Sequence, residues 1–297
     1  MKSGTVSIVG RPNVGKSTLL NNLLGKKIAI TSSVSQTTRN IILGVYNDKD
    51  SQIAFVDTPG IHKPKNKLGN LLNKKAYLMT SDIDVILFMV DIYKGFGKGD
   101  KFILDKFAGS DIPVILLLNK VDQVKNKKEL IQRIDEIKDL YDFKEIIPIS
   151  ALRSYNMNDL VKTLKKYLPE GERYYDSSFV TNQPNSMIIE ERVREKLMRL
   201  THDEIPHTVT TVLENFEEKD NIINMSVIIV VDRDNLKKIV IGKNGDMLKE
   251  VGTEARLDLE EYFGKKVYLE LFVKTIKNWR DRDNYINELG LKKDLED

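Results

Sequence analysis

A glycine-rich stretch near the amino terminus carries the residues best suited to hold a phosphate. Gly10–Ser17 reads GRPNVGKS and fits the spacing G-x-x-x-x-G-K-S, in which the glycines turn backbone N–H groups towards a polyphosphate. Lys16 would supply charge to the outer phosphates, and the Ser17 hydroxyl would ligate Mg²⁺. An apolar strand-like run precedes the motif and a helical pattern follows it, which is the context that such a loop needs. A glycine-rich turn without a ligand is the alternative.

A second motif, Asp57–Gly60 (DTPG), follows the apolar run Ile53–Val56. Its carboxylate can hold Mg²⁺ through water, and the N–H of Gly60 can contact a terminal phosphate. Alone, this pattern is better explained by a turn. Its place about 40 residues after Lys16, at the end of a predicted strand, favours the phosphate role.

A third motif, Asn119–Asp122 (NKVD), follows the run Val114–Leu118 and indicates which nucleobase the protein would bind. Guanine presents N1–H and an exocyclic amine side by side, and one carboxylate can accept from both. Adenine has an acceptor at N1 and no 2-amine, so Asp122 would face an unpaired site. We therefore expect GTP rather than ATP, with Ser150–Leu152 (SAL) offering a backbone N–H to the guanine oxygen. A surface turn after a strand is the alternative.

The polar stretch 31–40, TSSVSQTTRN, shows no periodicity. A threonine hydroxyl in it could close on Mg²⁺ and the γ-phosphate and then release after hydrolysis. An inert hydrophilic loop would have the same composition.

Gly242–Gly245 (GKNG) lies between two predicted helices and fits the G-x-x-G loop by which KH domains clamp about four nucleotides of single-stranded RNA. The motif alone is common, so its support comes from the predicted α-β-β-α-α-β order and the apolar residues 239–241. A plain helix–turn–helix is the alternative. Nearby lysines form a local positive patch: Lys237, Lys238, Lys243 and Lys249. A second cationic and stacking surface could be formed by Lys274, Lys277, Trp279, Arg280 and Arg282, and burial of Trp279 in the core is an equal alternative.

Composition excludes several classes of protein. The 297 residues include no Cys, so disulfides and Cys-ligated zinc are excluded. No apolar run is long enough to span a bilayer, and the first residues lack the apolar region of a secretory signal. We therefore expect a soluble cytoplasmic protein. The three histidines are too scattered for a metal site. Residues 1–172 carry 27 basic and 19 acidic side chains and the remainder 20 and 25, so any nucleic-acid contact must be local.

Strand-length apolar runs alternate with helix-like segments up to about residue 168, which predicts an α/β fold with a doubly wound, mostly parallel sheet. Ile41–Asn47 is predicted as an antiparallel edge strand. The other predicted strands are Thr5–Val9, Ile53–Val56, Val85–Val90, Val114–Leu118 and Ile146–Ile149, and the predicted helices are 16–24, 69–80, 98–108, 127–139 and 157–168. The predicted organisation is a nucleotide-binding domain over 1–171, a linker over 172–184, and an α+β KH-type domain over 185–297.

The chain resembles translation-factor-class GTPases in five motifs: GRPNVGKS at 10–17, SQTTR at 35–39, DTPG at 57–60, NKVD at 119–122 and SAL at 150–152. PGIHKPK at 59–65, and EIPH at 204–207 after an ERVREKL helix, are similar to the Era family of bacterial GTPases. The resemblance covers essentially the whole chain. It implies a Ras-like GTPase domain followed by a type II KH domain that binds small-subunit ribosomal RNA. It also implies Mg²⁺ ligation by Ser17 and by Thr38, the better choice of an adjacent threonine pair.

The sequence departs from the Ras pattern at Ile61, where Ras has a glutamine that orients the attacking water. The resemblance places the chain among GTPases with a hydrophobic residue there and makes Asn13 the candidate K⁺ ligand. The alternative is that Asn13 only shapes the loop. A smaller departure is Ser154, near which the family usually has a glycine.

The resulting hypothesis is a GTP-hydrolysing switch that serves small-subunit assembly, with GTP or GDP and Mg²⁺ as cofactors and K⁺ as a further candidate. The residues assigned to catalysis are Asn13, Lys16, Thr38 and Gly60. The metal ligands are Ser17, Thr38, Asp57 through water, and Asn13 for K⁺. The residues assigned to nucleotide binding are Gly10, Arg11, Pro12, Asn13, Val14, Gly15, Lys16, Ser17, Thr18, Asp57, Thr58, Pro59, Gly60, Ile61, Asn119, Lys120, Val121, Asp122, Ser150, Ala151 and Leu152. The residues assigned to RNA are Ile241, Gly242, Lys243, Asn244, Gly245 and Lys249.

The expected partners are small-subunit ribosomal RNA and the small ribosomal subunit, and the expected state is a monomer. The lysine-rich run 63–75 is expected to be a solvated face, with RNA or membrane headgroups on the inner face of the cell membrane as the alternative. Two rival functions stay open. One is a non-catalytic RNA-binding scaffold for which GTP is structural, and the other is a membrane-associated signalling GTPase whose carboxy-terminal half docks a protein.

Overall fold

The computed structural model describes residues 1–32, 34, 37–60, 66–78 and 83–291. The chain divides into two compact units. The first unit comprises Met1–Ala29, Thr38–Pro64 and Gly69–Asn182, and the second unit comprises Ile30–Thr37, Lys65–Leu68 and Gln183–Asp297.

In its described residues the first unit contains a six-stranded sheet in the order β2-β3-β1-β4-β5-β6. Its strands are β1 (Lys2–Gly10), β2 (Ile42–Asn47), β3 (Ser51–Asp57), β4 (Val85–Asp91), β5 (Val114–Asn119) and β6 (Glu145–Pro148). β2 pairs antiparallel with β3, and every other neighbouring pair is parallel. The predicted mostly parallel sheet with an antiparallel edge is confirmed.

The helices that alternate with these strands are α1 (Lys16–Leu24), α2 (Lys67–Leu78), α3 (Lys98–Leu104), α4 (Lys127–Ile137) and α5 (Met157–Tyr167). They cover both faces of the sheet. In β4, residues 85, 87 and 89 enter one hydrophobic core with α1 and α5, while residues 86, 88 and 90 enter a second core with α3 and α4. Burial on both faces explains why the central strands are continuous apolar runs.

Part of the predicted linker over 172–184 lies along β2 at the edge of the sheet. The N–H of Val45 donates to the carbonyl of Val180 (2.8 Å), and Thr181 Oγ1 donates to the carbonyl of Leu43 (2.7 Å). The side chain of Gln52 accepts from the N–H groups of residues 174 and 175. Through Asn182 this stretch therefore belongs to the first unit.

The sheet gathers polar residues at one end. Four parallel strands finish at Gly10, Asp57, Asp91 and Asn119, and the register pairs Asp91 with Asn119. β1 lies between β3 and β4. The chain therefore forms β2 and β3 on one side of β1 and then crosses to the other side to form β4. In doubly wound sheets this switch point at the carboxyl ends of the strands is where ligands bind.

The second unit packs helices against one face of a three-stranded sheet. Its elements are α6 (Asn185–Leu200), α7 (Ile205–Thr208), β7 (Thr210–Glu218), β8 (Ile222–Val231), α8 (Asp234–Ile241), α9 (Asp246–Phe263), β9 (Lys266–Thr275) and α10 (Asp283–Glu288). β8 is central, antiparallel to β7 and parallel to β9. Its odd-numbered residues from 223 to 231 enter a core with α6, α8 and α9. The predicted α-β-β-α-α-β order is present, and the short helices α7 and α10 were not predicted.

Burial selects the core alternative for Trp279 and contradicts, at Lys75, the expectation of a solvated face. Trp279 is fully buried and its Nε1 donates to the carbonyl of Thr208 (2.8 Å), so it offers no stacking surface. Lys75, in the run 63–75 expected to be solvated, is also fully buried, and its Nζ donates to Asn40 Oδ1 (3.2 Å). Residues 63–65 of that run lie outside the described residues. Within the described ranges, no helix is long and apolar enough to cross a bilayer.

We expect Leu87→Ala to lower the free energy of unfolding of the first unit by about 2–5 kcal/mol, because it leaves a cavity in a strand buried on both faces. Leu87 is fully buried, whereas Leu140 is 51% exposed, so Leu140→Ala is the matched control and should change the free energy by less than about 0.5 kcal/mol. Urea unfolding followed by far-UV circular dichroism measures both. Equal effects of the two variants would contradict the double-sided burial of β4.

Candidate functional site

The loop between β1 and α1 lies against the ends of the neighbouring strands because two of its residues are glycines. A Cβ at Gly15, where φ is +107°, would lie 2.3 Å from Asn119 Nδ2. A Cβ at Gly10 would lie 2.5 Å from the carbonyl oxygen of Met89. No side chain fits at either position, so the loop comes close enough to the sheet for its N–H groups to surround an anion at the start of α1.

Lys16 is enclosed by this loop. It is 6% exposed, and its Nζ donates to the carbonyls of Gly10 (3.4 Å) and Arg11 (3.3 Å). Burial lowers the pKa of Lys16, and the carboxylate of Asp57 opposes that shift. The hydrogen-bond partners of Nζ are neutral carbonyls, so a bound phosphate would supply the counter-charge of the buried ammonium.

Three side-chain oxygens meet beside the loop in an arrangement that suits Mg²⁺. Ser17 Oγ donates to Asp57 Oδ2 (2.7 Å) and lies 2.9 Å from Thr38 Oγ1. Octahedral Mg²⁺ has Mg–O distances of about 2.0–2.1 Å, which places adjacent ligand oxygens about 2.9 Å apart.

Burial raises the pKa of Asp57, against the opposing effects of Lys16, Ser17 and Thr38. Among the described atoms, its Oδ1 is buried without a hydrogen-bond partner. A divalent cation, or a water molecule bound to it, would satisfy that oxygen, so the residues present fit a magnesium site.

Of the two adjacent threonines, Thr38 is the one whose hydroxyl reaches Ser17. The hydroxyl of Thr37 donates instead to the carbonyl of Val34 (2.7 Å). The polar composition of the stretch could not distinguish between them.

The side chains of Asn119 and Lys120 support the loop. Asn119 Nδ2 donates to the carbonyl of Val14 (2.7 Å), and its Oδ1 accepts from the N–H of Ala151 (2.9 Å). Lys120 Nζ donates to the carbonyl of Asn13 (2.9 Å). These side chains tie the segments that follow β1, β5 and β6 to one another.

Asp122 is the carboxylate available for base recognition. Ser150 Oγ donates to its Oδ1 (2.5 Å), which fixes the orientation of the carboxylate. A cavity of about 400 Å³ opens beside this pair. It is lined by Val121, Asp122, Val124, Asn126, Lys127, Leu130, Ser150, Arg153 and Tyr155. Of the predicted base contacts, Leu152 is 69% exposed.

Asp91, which sequence reasoning missed, anchors Lys120. Its Oδ2 accepts from Lys120 Nζ (2.7 Å), and its Oδ1 accepts from the N–H groups of Tyr93 (3.1 Å) and Lys94 (3.2 Å). The available signal was its position as a carboxylate at the end of an apolar strand. Since that position is shared with many turn residues, the signal was weak.

The side chain of Arg11 points away from the loop interior. Arg11 Nη2 donates to the carbonyl of Gly95 (3.0 Å) and pairs with Asp100 (2.7 Å). Asp100 is fully buried at the start of α3, and burial raises its pKa. Arg11 therefore contributes backbone groups to the predicted nucleotide site, while its side chain ties the loop to α3.

The remaining predicted residues of the DTPG motif lie against β1 and the loop. Thr58 Oγ1 donates to the carbonyl of Ile8 (3.3 Å). A Cβ at Gly60 would lie 2.9 Å from the backbone nitrogen of Pro12, so this glycine also allows a close approach. Ile61 lies outside the described residues.

The predicted RNA residues form a tight turn in the second unit. α8 ends at Ile241, and Gly242 (φ +78°), Asn244 (φ +54°) and Gly245 (φ +84°) have positive φ before α9 begins. A Cβ at Gly242 would lie 2.7 Å from Met247 Cβ, whereas a Cβ at Gly245 would meet nothing within 4 Å. Lys243, Asn244 and Lys249 are exposed. The open space at Gly245 allows a nucleic-acid backbone to approach the loop.

Comparisons with known proteins identify two families in the chain. A family model described as a 50S ribosome-binding GTPase matches residues 5–120, and a KH domain model matches residues 204–280. The curated relative GTPase Era of Clostridioides difficile (strain 630) is 48% identical over 295 residues, covering 97% of this chain and 98% of the relative.

Two crystal structures are similar over nearly the whole chain. They are a tyrosine-to-alanine variant of Aquifex aeolicus Era bound to GDP·AlF4⁻, and Era in complex with MgGDPNP and nucleotides 1506–1542 of 16S ribosomal RNA. Each has a TM-score of 0.95 and 44% identity and covers 98% of this chain and 99% of the solved one.

We expect Asp91→Asn to weaken guanine-nucleotide binding about tenfold or more, because Lys120 loses its charged partner and holds the carbonyl of Asn13 less firmly. Isothermal titration with GDP measures the affinity. Asp105→Asn, which removes an exposed carboxylate paired with Lys101, is the matched control and should have no effect. Unchanged affinity in Asp91→Asn would show that Lys120 needs no anchor.

Proposed function

Because this chain belongs to the Era family of GTPases, we propose that it is a switch in which GTP hydrolysis controls the binding of small-subunit ribosomal RNA. The chain is a GTPase that uses GTP and GDP with Mg²⁺. Its second unit contains a KH domain. The proposal extends these properties to the roles of individual residues and to a partner.

The observation that carries the switch is the meeting of Ser17, Thr38 and Asp57. Bound Mg²⁺ would neutralise charge on the phosphate oxygens. Residues 37–40 around Thr38 form neither helix nor strand, so Thr38 can join or leave the site as the γ-phosphate binds and is released. In the proposed site, Lys16 and the loop N–H groups hold the phosphates and Asp122 selects guanine.

Asn13 is proposed to assist hydrolysis by binding K⁺. Ile61 has no polar atom with which to orient water, so another group has to assist hydrolysis. A cation near the phosphates can do so by neutralising their negative charge. Asn13 has a left-handed backbone (φ +65°), and its carbonyl is held by Lys120. This fixes the residue at the phosphate loop, where its side-chain oxygen is a suitable ligand for a monovalent cation.

We expect GTP hydrolysis to be faster in K⁺ buffer than in Na⁺ buffer of equal ionic strength, and Asn13→Ala to remove the difference. Phosphate release at saturating GTP measures the rate. Equal rates of the unmodified protein in the two buffers would contradict the K⁺ role and leave Asn13 as a residue that only shapes the loop.

The proposed RNA ligand follows from the relative crystallised with nucleotides 1506–1542 of 16S ribosomal RNA. In this chain, the loop from Ile241 to Gly245 forms a tight turn with positive φ angles, and Lys243 and Lys249 are exposed cations beside it. A glycine turn of this kind with nearby cations is the form of a KH clamp. We infer that the small ribosomal subunit is the partner and that the chain assists its assembly.

The alternatives raised by the sequence fare differently. A non-catalytic scaffold is wrong, since the chain belongs to a GTPase family. The KH match over 204–280 favours RNA over a docked protein as the ligand of the second unit. A cytoplasmic monomer stays a prediction, as does peripheral contact with the inner face of the membrane.

We expect Gly245→Asp to reduce affinity for an RNA spanning nucleotides 1506–1542 of 16S ribosomal RNA at least tenfold without changing basal GTP hydrolysis, because it places a negative charge where phosphate approaches. Gly264→Asp is the matched control, since Gly264 also has positive φ (+65°) and open space but lies at the other end of α9. Fluorescence anisotropy measures RNA affinity.

The same assay tests the switch. RNA affinity of the unmodified protein should differ between the GDP-bound state and the state with a non-hydrolysable GTP analogue. Equal affinities would contradict nucleotide control, and full affinity in Gly245→Asp would contradict the KH assignment.

A further inference from the structure

The loop that follows α8 contains the only Asn–Gly pair in the sequence, Asn244–Gly245. An asparagine before a glycine is prone to deamidation, because the backbone nitrogen of the glycine can attack the side-chain amide carbon without hindrance from a Cβ. Whether the reaction occurs in a folded protein depends on how freely these two groups can move.

The side chain of Asn244 is unrestrained. It is exposed, and within the described part of the chain it forms no hydrogen bond. The amide can therefore rotate towards the backbone. Asn244 has φ +54° and ψ +19°, a conformation that is unfavourable for most L residues. Ring closure requires ψ to rotate until the amide carbon lies beside the nitrogen of Gly245.

The nitrogen of Gly245 is weakly held, which allows this rotation. Its N–H donates to the carbonyl of Gly242 at 3.4 Å, whereas ordinary N–H···O bonds measure about 2.7–3.2 Å. A Cβ at Gly245 would meet nothing within 4 Å, so there is room for the chain to turn and for a five-membered ring to form. Glycine also has the widest range of backbone conformations.

Neighbouring cations favour the reaction and increase its consequence. Lys243 and Lys249 are exposed beside the loop. The attacking form of the amide nitrogen is its anion, which nearby positive charge stabilises. The product carries a carboxylate where the loop had a neutral amide. That carboxylate lies among the residues assigned to RNA, where it would repel phosphate.

We propose that Asn244 is a site of spontaneous deamidation, which converts the second unit to a form with low affinity for RNA. The nitrogen of Gly245 loses its proton and bonds to Asn244 Cγ, the Cγ–Nδ2 bond breaks, and ammonia leaves. Water then opens the resulting succinimide at either carbonyl, which gives aspartate or isoaspartate. The reaction needs no oxidant or reductant. Isoaspartate also lengthens the backbone of the tight turn by one methylene.

The effect on RNA rests on the RNA binding proposed above, whereas the modification itself does not. The two parts of the proposal are therefore measured separately, the first by the chemistry of the asparagine and the second by RNA affinity.

Asn278 is a matched control in the same unit. It is exposed and has nearly the same backbone conformation, with φ +53° and ψ +36°. Its carbonyl accepts from the N–H of Asp281 (3.1 Å). The next residue, Trp279, is fully buried and donates to the carbonyl of Thr208. The peptide after Asn278 is thus held in place, and exposure with positive φ should not by itself lead to deamidation.

The first test stores the full-length protein at physiological temperature and maps its peptides by mass spectrometry. An isoaspartate methyltransferase assay detects the isoaspartyl product. We expect Asn244 to convert about tenfold or more faster than Asn278, and faster in alkaline than in neutral buffer because the attacking nitrogen must lose its proton. No conversion at Asn244, or equal rates at the two positions, would overturn the modification site.

The second test measures RNA affinity by fluorescence anisotropy, with RNA spanning nucleotides 1506–1542 of 16S ribosomal RNA. Stored protein should contain a fraction that binds about fivefold or more weakly, in proportion to conversion at Asn244. Asn244→Asp should bind weakly from the start. Asn244→Gly removes the amide and suits positive φ, so this variant should keep its own initial affinity throughout storage.

Two further outcomes identify what has failed. Conversion at Asn244 with unchanged RNA affinity would overturn the proposed loss of function. If the unmodified protein fails to bind the RNA before storage, the proposed function itself is overturned, while the mass spectra still decide whether Asn244 is modified.

Discussion

The amide of Asn119 is the contact on which the nucleotide site depends. It donates to the carbonyl of Val14 in the phosphate loop and accepts from the N–H of Ala151 after β6, so one buried side chain joins segments that are far apart in sequence. Gly15 must lack a side chain for this contact to form. Since a buried amide with unmet hydrogen bonds is costly, the position of each segment constrains the others. The loop is thereby held in shape before any phosphate arrives.

Charge burial around this contact explains why the site is suited to an anion and a cation together. Lys16 is enclosed with neutral carbonyls, and Asp57 is buried with one oxygen unpaired among the described atoms. Each has a pKa displaced in the direction that disfavours its charged form. A ligand that brings negative charge to Lys16 and positive charge to Asp57 relieves both penalties, and magnesium with a polyphosphate does so. The same burial makes the site selective, since a neutral ligand would compensate neither group.

The sequence was most informative where one physical cause determines the pattern. Double-sided burial produced the continuous apolar runs of β4 and β5, so the parallel sheet could be predicted from hydrophobicity alone. Gly15 and Gly242 have positive φ and lie too close to neighbouring atoms for a Cβ to fit, so both positions require glycine. These glycines made the two loops recognisable in the sequence. The family of the chain was recognisable from these motifs in combination.

Other features had no such pattern. α7 and α10 are too short to show a helical period. Asp91 and Asp100 act through distant partners, Lys120 and Arg11, and a single carboxylate in a turn does not reveal its partner. Trp279 illustrates the same limit, because an aromatic residue among cations suits a surface or a core equally well until the packing is known.

The segment that follows α5 has a consequence for behaviour at high concentration. A β-sheet whose outermost strand shows free N–H and C=O groups is a template for pairing with another molecule. In the first unit, this segment hydrogen-bonds two groups of β2, the carbonyl of Leu43 and the N–H of Val45. The outer edge of β2 is therefore covered by the chain's own backbone at these residues. Another molecule could add a strand there only after the segment had dissociated from β2.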